Sequence, residues 1–173
     1  MGTPWDPTRW ATSLGPSVRN TVEDIVITHN TVSLGAGAIP PWSATGIIVV
    51  AASMGTGGTG PASNNTIKNV TISGNRLRDG KRRAIGIQVT AGFSNPNDAL
   101  VSHNTVTGLL ISGNVLTGWK TAIFIAAGFG DRSTANSVTG QSKGNVIVSC
   151  AEGIQAVANY GNAWKNSIHF TRS

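Results

Sequence analysis

Apolar and polar residues alternate over short stretches along most of the chain. Ile25 and Ile27 flank a single residue, and Ile47 and Val49 do the same further on. Short β-branched runs with a period of two are typical of strands, and the Gly, Asn, Ser and Thr residues between them are typical of turns. The pattern predicts an all-β chain in which turns, rather than helices, connect short strands.

Two blocks of sequence recur in a fixed order. The first block begins with Asn-Thr and ends with Asn, and occupies residues 20–30, 65–75 and 104–114, with a decayed copy from Asn136 and a possible fifth start at Asn162. The second block is an aliphatic run after Gly or Ala. It occupies residues 46–50, 86–90, 122–126 and 153–157.

Such a repeat implies stacking, because one unit of about three short strands cannot bury its inward face alone. Strands laid on their copies in the next unit run parallel, about 4.8 Å apart. The columns expected to face inward are Ile47, Ile87, Ile123 and Ile154, then Val49, Val89, Ile125 and Ala156, and Ile27, Ile72 and Ile111.

Asparagines form two further columns at the points where the strands must bend. Asn tolerates left-handed backbone, and its amide can donate and accept along a stack. The first column contains Asn20, Asn65, Asn104, Asn136 and, as a candidate, Asn162, and the second contains Asn30, Asn75, Asn114 and Asn145.

These blocks resemble the parallel β-helix repeats of pectin-lyase-like proteins. The resemblance covers about residues 20–170. It implies a right-handed, three-faced parallel β-helix, or solenoid, of about four to five coils over residues 20–173, with residues 1–19 as an N-terminal cap or extension. It also implies an extracellular, cell-surface or virion-surface location. The resemblance says little about activity, because proteins of this fold include lyases, hydrolases, epimerases, tailspikes and adhesins.

Composition narrows the class of protein. The chain has 173 residues, of which 12% are charged, and a single cysteine. The low charge argues against a helical bundle, and one cysteine excludes an internal disulfide or a multi-cysteine zinc site. No apolar run is long enough to cross a membrane, and no basic-then-apolar leader is seen, so we expect no membrane partner and no signal peptide.

The acidic and histidine residues do not suggest a hydrolase or a metal site. Hydrolases of this fold need converging carboxylates, and no carboxylate pair recurs on neighbouring coils. The Gly-His-Gly signature of polygalacturonase-like relatives and the Asp-Pro-His-Glu motif of alginate epimerase-like relatives are both missing. Because His29 and His103 occupy different turn positions, we expect turn residues there and no metal ligands.

The net charge of +6 favours an anionic partner, and much of it is concentrated between residues 76 and 83. Arg76 and Arg78 alternate along a strand and are expected to point outward together. With Lys81 they are the candidate catalytic residues. The candidate substrate-binding residues are Arg82, Arg83, Trp42, Trp119 and Lys120. We expect the two tryptophans to stack on sugar rings and the cations to bind carboxylates.

Three functions remain open at this point. The first is a module that binds anionic polysaccharide, of tailspike, adhesin or surface-protein type. The second is a small or truncated polysaccharide lyase acting on uronate glycans by β-elimination, with no cofactor or with Ca²⁺. The third is a structural scaffold. Nucleic acid is disfavoured as a partner, because no recognition helix or aromatic sheet motif is present.

Self-association is also expected, through a second outward surface. The surface comprises the columns Ile48, Gln88, Phe124 and Gln155, and Val50, Thr90, Ala126 and Val157. These columns are apolar enough to pair with a second copy.

Overall fold

The chain is built from β-strands. A computed structural model describes residues 17–34, 44–53, 60–94 and 99–173, and within these ranges it contains 19 strands and no α-helix. Accordingly, this part of the chain has no helix capable of crossing a membrane. Trp42 and most of the predicted N-terminal extension lie outside the described residues.

The strands follow the sequence repeats. The first repeat contains β1 (Ser17–Val18), β2 (Thr21–Glu23), β3 (Val26–Thr28), β4 (Thr31–Leu34) and β5 (Thr45–Ser53). The second contains β6 (Ala62–Ser63), β7 (Thr66–Lys68), β8 (Thr71–Ser73), β9 (Arg76–Asp79) and β10 (Ile85–Phe93). The third contains β11 (Val101–Ser102), β12 (Thr105–Ser112), β13 (Val115–Thr117) and β14 (Thr121–Phe129). The fourth contains β15 (Ser133–Thr134), β16 (Ser137–Lys143), β17 (Val146–Val148) and β18 (Glu152–Tyr160), and β19 (Ser167–Arg172) begins a fifth.

Each strand pairs with its copy in the next repeat, and the pairings between these strands are parallel. Sheet 1 has the order β1-β6-β11-β15, sheet 3 the order β4-β9-β13-β17, and sheet 4 the order β5-β10-β14-β18. Sheet 2 joins β2, β3, β7, β8, β12, β16 and β19. This arrangement is consistent with a β-solenoid. The sequence predicted about three strands in each unit, but the strands form four sheets. The additional one is sheet 1, whose short strands precede the first block of each repeat.

The predicted inward columns form the core. Ile87 is paired in register with Ile47 and Ile123, and all three are buried in one apolar cluster. The columns through Val89 and through Ile72 pair in the same way. Burying a side chain of this size contributes about 1.5–3 kcal/mol, so the stacked columns provide the main force that holds the repeats together.

Both asparagine columns form hydrogen-bonded ladders. In the second column the side-chain amide of Asn30 donates to the side-chain carbonyl of Asn75 at 3.0 Å, and the bond repeats up to Asn145. In the first column the fifth member is Asn166, which accepts from Asn136 at 2.9 Å. The prediction of Asn162 for this position is wrong, because that side chain donates to Asp131 instead.

The left-handed backbone lies one residue before each ladder asparagine. His29, which precedes Asn30, has φ of 56°, and His103, which precedes Asn104, also has φ of 56°. Both histidines are turn residues, as predicted. The residue before each ladder asparagine therefore makes the turn, and the asparagine itself holds neighbouring repeats together at the bend by hydrogen bonds.

The outward surface of sheet 4 is largely covered. Ile48 is 56% exposed, but Phe124 is only 2% exposed and Thr90 and Ala126 are fully buried. The ring of Phe129 stacks between Phe93 and Tyr160, and Phe124 meets two of these rings edge-on. The middle of this surface is therefore already buried within the chain, and self-association through it stays a prediction.

The first repeat begins before residue 20. Ser17 and Val18 pair in register with Ala62 and Ser63, inside the segment that the sequence assigned to the N-terminal extension. The rest of the predicted extension, residues 1–16, is outside the described residues.

Candidate functional site

Strand β9 presents two arginines on the outside of sheet 3. Burial alternates along this strand, so that Arg76 and Arg78 are exposed while Leu77 and Asp79 are buried. The alternation follows from the period of two in a strand, with Leu77 anchored in the core. The predicted outward direction of both arginines is confirmed.

A shallow groove of about 230 Å³ runs past these arginines. Strand register places Thr31 and Val115 on either side of Arg76, and Ser33 and Thr117 on either side of Arg78. Hydroxyl side chains thus lie on both sides of Arg78 and on one side of Arg76.

Sequence reasoning missed these flanking residues, although the signal was available. Asn30, Asn75 and Asn114 are aligned by the repeat, and the residues that follow them are Thr31, Arg76 and Val115. Aligning the residue that follows each of these asparagines would have predicted the neighbours of Arg76 that line the groove.

The turn after β9 is organised by the Asp79 carboxylate. One oxygen accepts from the backbone N–H of Lys81 at 3.0 Å, and the other accepts from Arg83 and Ala84 at 2.8 and 3.3 Å. An Asp side chain that binds the backbone N–H groups of the next few residues is a common means of closing a turn. The buried carboxylate therefore fixes the path of the basic turn.

Three cations follow on this turn. Lys81 and Arg82 are exposed, whereas Arg83 is half-buried and its guanidinium Nε and Nη2 are shielded from solvent. Arg82 has φ of 53°, and its backbone N–H donates to the carbonyl of Gly118 at 3.0 Å. We call Arg76, Arg78, Lys81, Arg82 and Arg83 the basic face.

Trp119 aligns with Arg83, as expected, but its ring points into the core. The side chain is 0% exposed, and its indole N–H donates to the carbonyl of Leu77 at 3.0 Å. The predicted stacking of Trp119 on a sugar ring does not fit this placement, because the left-handed turn at Gly118, just after β13, directs the ring inward. Lys120 is half-buried beside it, and Trp42 lies outside the described residues.

The carboxylates of the described residues bond to groups other than the two arginines of β9. Five of the seven acids are described, since Asp6 and Asp98 are not. Their partners are Lys68 for Glu23, Asn69 for Asp24, the turn after β9 for Asp79, Asn162 for Asp131 and Thr121 for Glu152. Within the described residues, Arg76 and Arg78 form no ion pair.

The chemistry available at this face is that of anion binding. Arginine can bind a carboxylate or sulfate with two parallel hydrogen bonds, and the neighbouring Thr and Ser hydroxyls can donate or accept. Over the ranges described, no group of three His, Cys, Asp or Glu residues could hold a metal ion.

Comparisons of the chain with protein-family models, with curated proteins and with solved structures found no match.

Proposed function

We propose that the chain is a right-handed parallel β-helix of the pectin-lyase-like kind. The recurring blocks, the parallel in-register strands and the two asparagine ladders support this proposal. We further propose that it binds anionic polysaccharide through the basic face.

The observation that carries the binding proposal is the pair of exposed arginines beside the groove. Arg76 and Arg78 share one outward side of β9, and none of the described carboxylates forms an ion pair with them. Two adjacent guanidinium groups without a counter-charge raise the local positive potential, which favours an anionic ligand.

The size of each contact favours a polymer over a small anion. An exposed ion pair contributes only about 0.2–1 kcal/mol, so a single carboxylate or sulfate would bind weakly. A chain with many anionic groups meets several cations of the basic face at once, and the linked contacts add through effective concentration.

The groove lining favours a polysaccharide over single-stranded nucleic acid. Nucleic-acid binding without sequence preference combines cations with aromatic rings on which bases stack. Among the described residues, those that line the groove are Thr, Ser, Arg, Leu and Val, and none of them is aromatic. Hydroxyl groups beside arginines suit the hydroxyls and carboxylates of uronate sugars.

The proposal can be tested by retention on immobilised alginate, pectate and heparin. We expect Arg76→Ala with Arg78→Ala to elute at clearly lower salt than the unaltered chain. Arg132→Ala with Arg172→Ala is the matched control, because it removes the same charge from exposed arginines outside sheet 3. If both double variants elute alike, or if the unaltered chain is not retained, binding at the basic face is wrong.

The same incubations distinguish a binding module from a lyase. A lyase leaves an unsaturated uronate that absorbs in the ultraviolet, whereas a binding module leaves the polymer intact. We expect no such product from alginate, pectate or a glycosaminoglycan, with or without added Ca²⁺. A product that is lost with Arg76→Ala or Lys81→Ala would replace the binding proposal with the lyase one.

A further inference from the structure

A second groove, larger than the first, crosses sheet 2 on another surface of the molecule. It has a volume of about 340 Å³ and spans β12, β16 and β19. None of the residues that line it belongs to the basic face. It is therefore a separate candidate site.

An irregularity in the pairing of β12 shapes this groove. The register between β12 and β16 shifts between Val106 and Leu109, and Gly108 has φ of 64°. In the first two repeats the corresponding residues, Asp24 and Asn69, carry side chains that bond to each other. Gly108 has no side chain to continue this bonding, and its backbone is exposed, with Asn69 Oδ1 lying 3.0 Å from where a Cβ would stand. Irregularities of this kind often occur beside binding sites, where they redirect neighbouring side chains.

Four polar side chains line the groove, and those of Gln141, His169 and Thr171 are exposed. Thr139 lies beside His169 in the strand register, and Gln141 lies beside Thr171. Across the described residues, these side chains form no hydrogen bond to another protein group. They offer two hydroxyls, an amide and an imidazole, which together can both donate and accept.

No Lys, Arg, Asp or Glu is among the described residues that line the groove, and the lining has an apolar part. Leu109 is buried beneath the groove and Leu110 is half-buried at its side. A site that combines a few convergent polar groups with an apolar surface suits a ligand with hydroxyls on its edge and a C–H face.

We propose that this groove binds an uncharged saccharide. The sugar hydroxyls pair with Thr139, Gln141, His169 and Thr171, and the ring C–H groups pack against Leu110. The site is independent of the proposed function, since its ligand carries no charge and its residues lie on a different sheet.

The test uses uncharged hexasaccharides of gluco, manno, galacto and xylo configuration, followed by calorimetry and by saturation-transfer NMR. We expect at least one to bind below about 10 mM, with an affinity that does not change with salt. Gln141→Ala with His169→Ala should weaken this binding about tenfold. Gln155→Ala with His103→Asn is the matched control and should bind as the unaltered chain does, with circular dichroism showing that both double variants fold.

Arg76→Ala with Arg78→Ala should still bind the uncharged saccharide. A negative result for binding at the basic face can therefore be distinguished from a negative result for this groove. The proposal is overturned if no hexasaccharide binds below about 10 mM. It is also overturned if the Gln141 and His169 double variant binds like the control.

Discussion

The side-chain carbonyl of Asn114 accepts two hydrogen bonds from Asn75, one from the backbone N–H and one from the side-chain amide, both at 2.9 Å. Asn114 in turn donates to Asn145 and to the carbonyl of Ile72. Both Asn75 and Asn114 are fully buried. One side chain thus bonds to polar groups in the repeat before and the repeat after its own, which makes the ladder a structural link between three successive repeats.

Replacing Asn114 by alanine should therefore be strongly destabilising. The change leaves two buried donors of Asn75 and one carbonyl without their partner, and each such group costs about 1–3 kcal/mol. We expect the free energy of unfolding in urea to fall by about 3 kcal/mol or more. Asn30→Ala is the control at the exposed end of the same ladder and should cost about 1 kcal/mol or less. Equal losses for the two variants would contradict a cooperative ladder.

The fold was largely predictable because the repeat carries both its core and its ladders. Ile87 and Asn75 are each flanked by their copies, so an alignment of blocks gives the contacts directly. The prediction failed at the last repeat, where two asparagines lie close together in the chain. Asn162 was chosen, although Asn166-Ser-Ile repeats Asn136-Ser-Val, and the strand register that pairs Val138 with Ile168 selects Asn166.

The candidate site was predicted less completely than the fold. The period of two gave the direction of Arg76 and Arg78, but sequence alone could not show that Trp119 faces inward. Its position is set by the left-handed turn at Gly118, which shifts the alternation relative to β13. Sequence reasoning assigned no role to Asp79, because its contacts with backbone N–H groups leave no periodic signal.

The buried position of Trp119 leads to a prediction about binding and stability. Trp119→Phe removes the indole hydrogen bond to the carbonyl of Leu77 while retaining most of the ring, and should cost about 1–3 kcal/mol of unfolding free energy. Retention on anionic polysaccharide should be unchanged, since the ring has no exposed surface. Lost retention with unchanged stability would show instead that the ring contacts the ligand.

Asp79 should affect binding through the geometry of the turn. Asp79→Ala leaves three backbone N–H groups without an acceptor, and we expect a loss of about 2–4 kcal/mol in stability. Removing a negative charge beside cations should by itself strengthen polyanion binding. Weaker retention of the folded variant would therefore identify Asp79 as a positioning residue. Asp131→Ala, which removes an acid bonded to Asn162 and away from this turn, is the control and should retain polysaccharide normally.

Gly118 and Gly113 have similar backbone conformations but different neighbours. Comparing alanine at the two positions therefore separates the cost of a steric collision from the cost of backbone strain. Gly118 and Gly113 have φ of 72° and 61°, so alanine is strained at both positions. A Cβ on Gly118 would collide with the backbone carbonyl of Asp79, whereas a Cβ on Gly113 would meet no atom within 4 Å. We expect Gly113→Ala to cost about 1 kcal/mol and Gly118→Ala about 3 kcal/mol or more in urea unfolding, because only the second must displace the strand that carries the basic face. Retention on polysaccharide, measured on folded protein, should fall for Gly118→Ala alone. Equal costs for the two variants would mean that β9 can move away from the turn without penalty, which contradicts the close stacking of the second and third repeats.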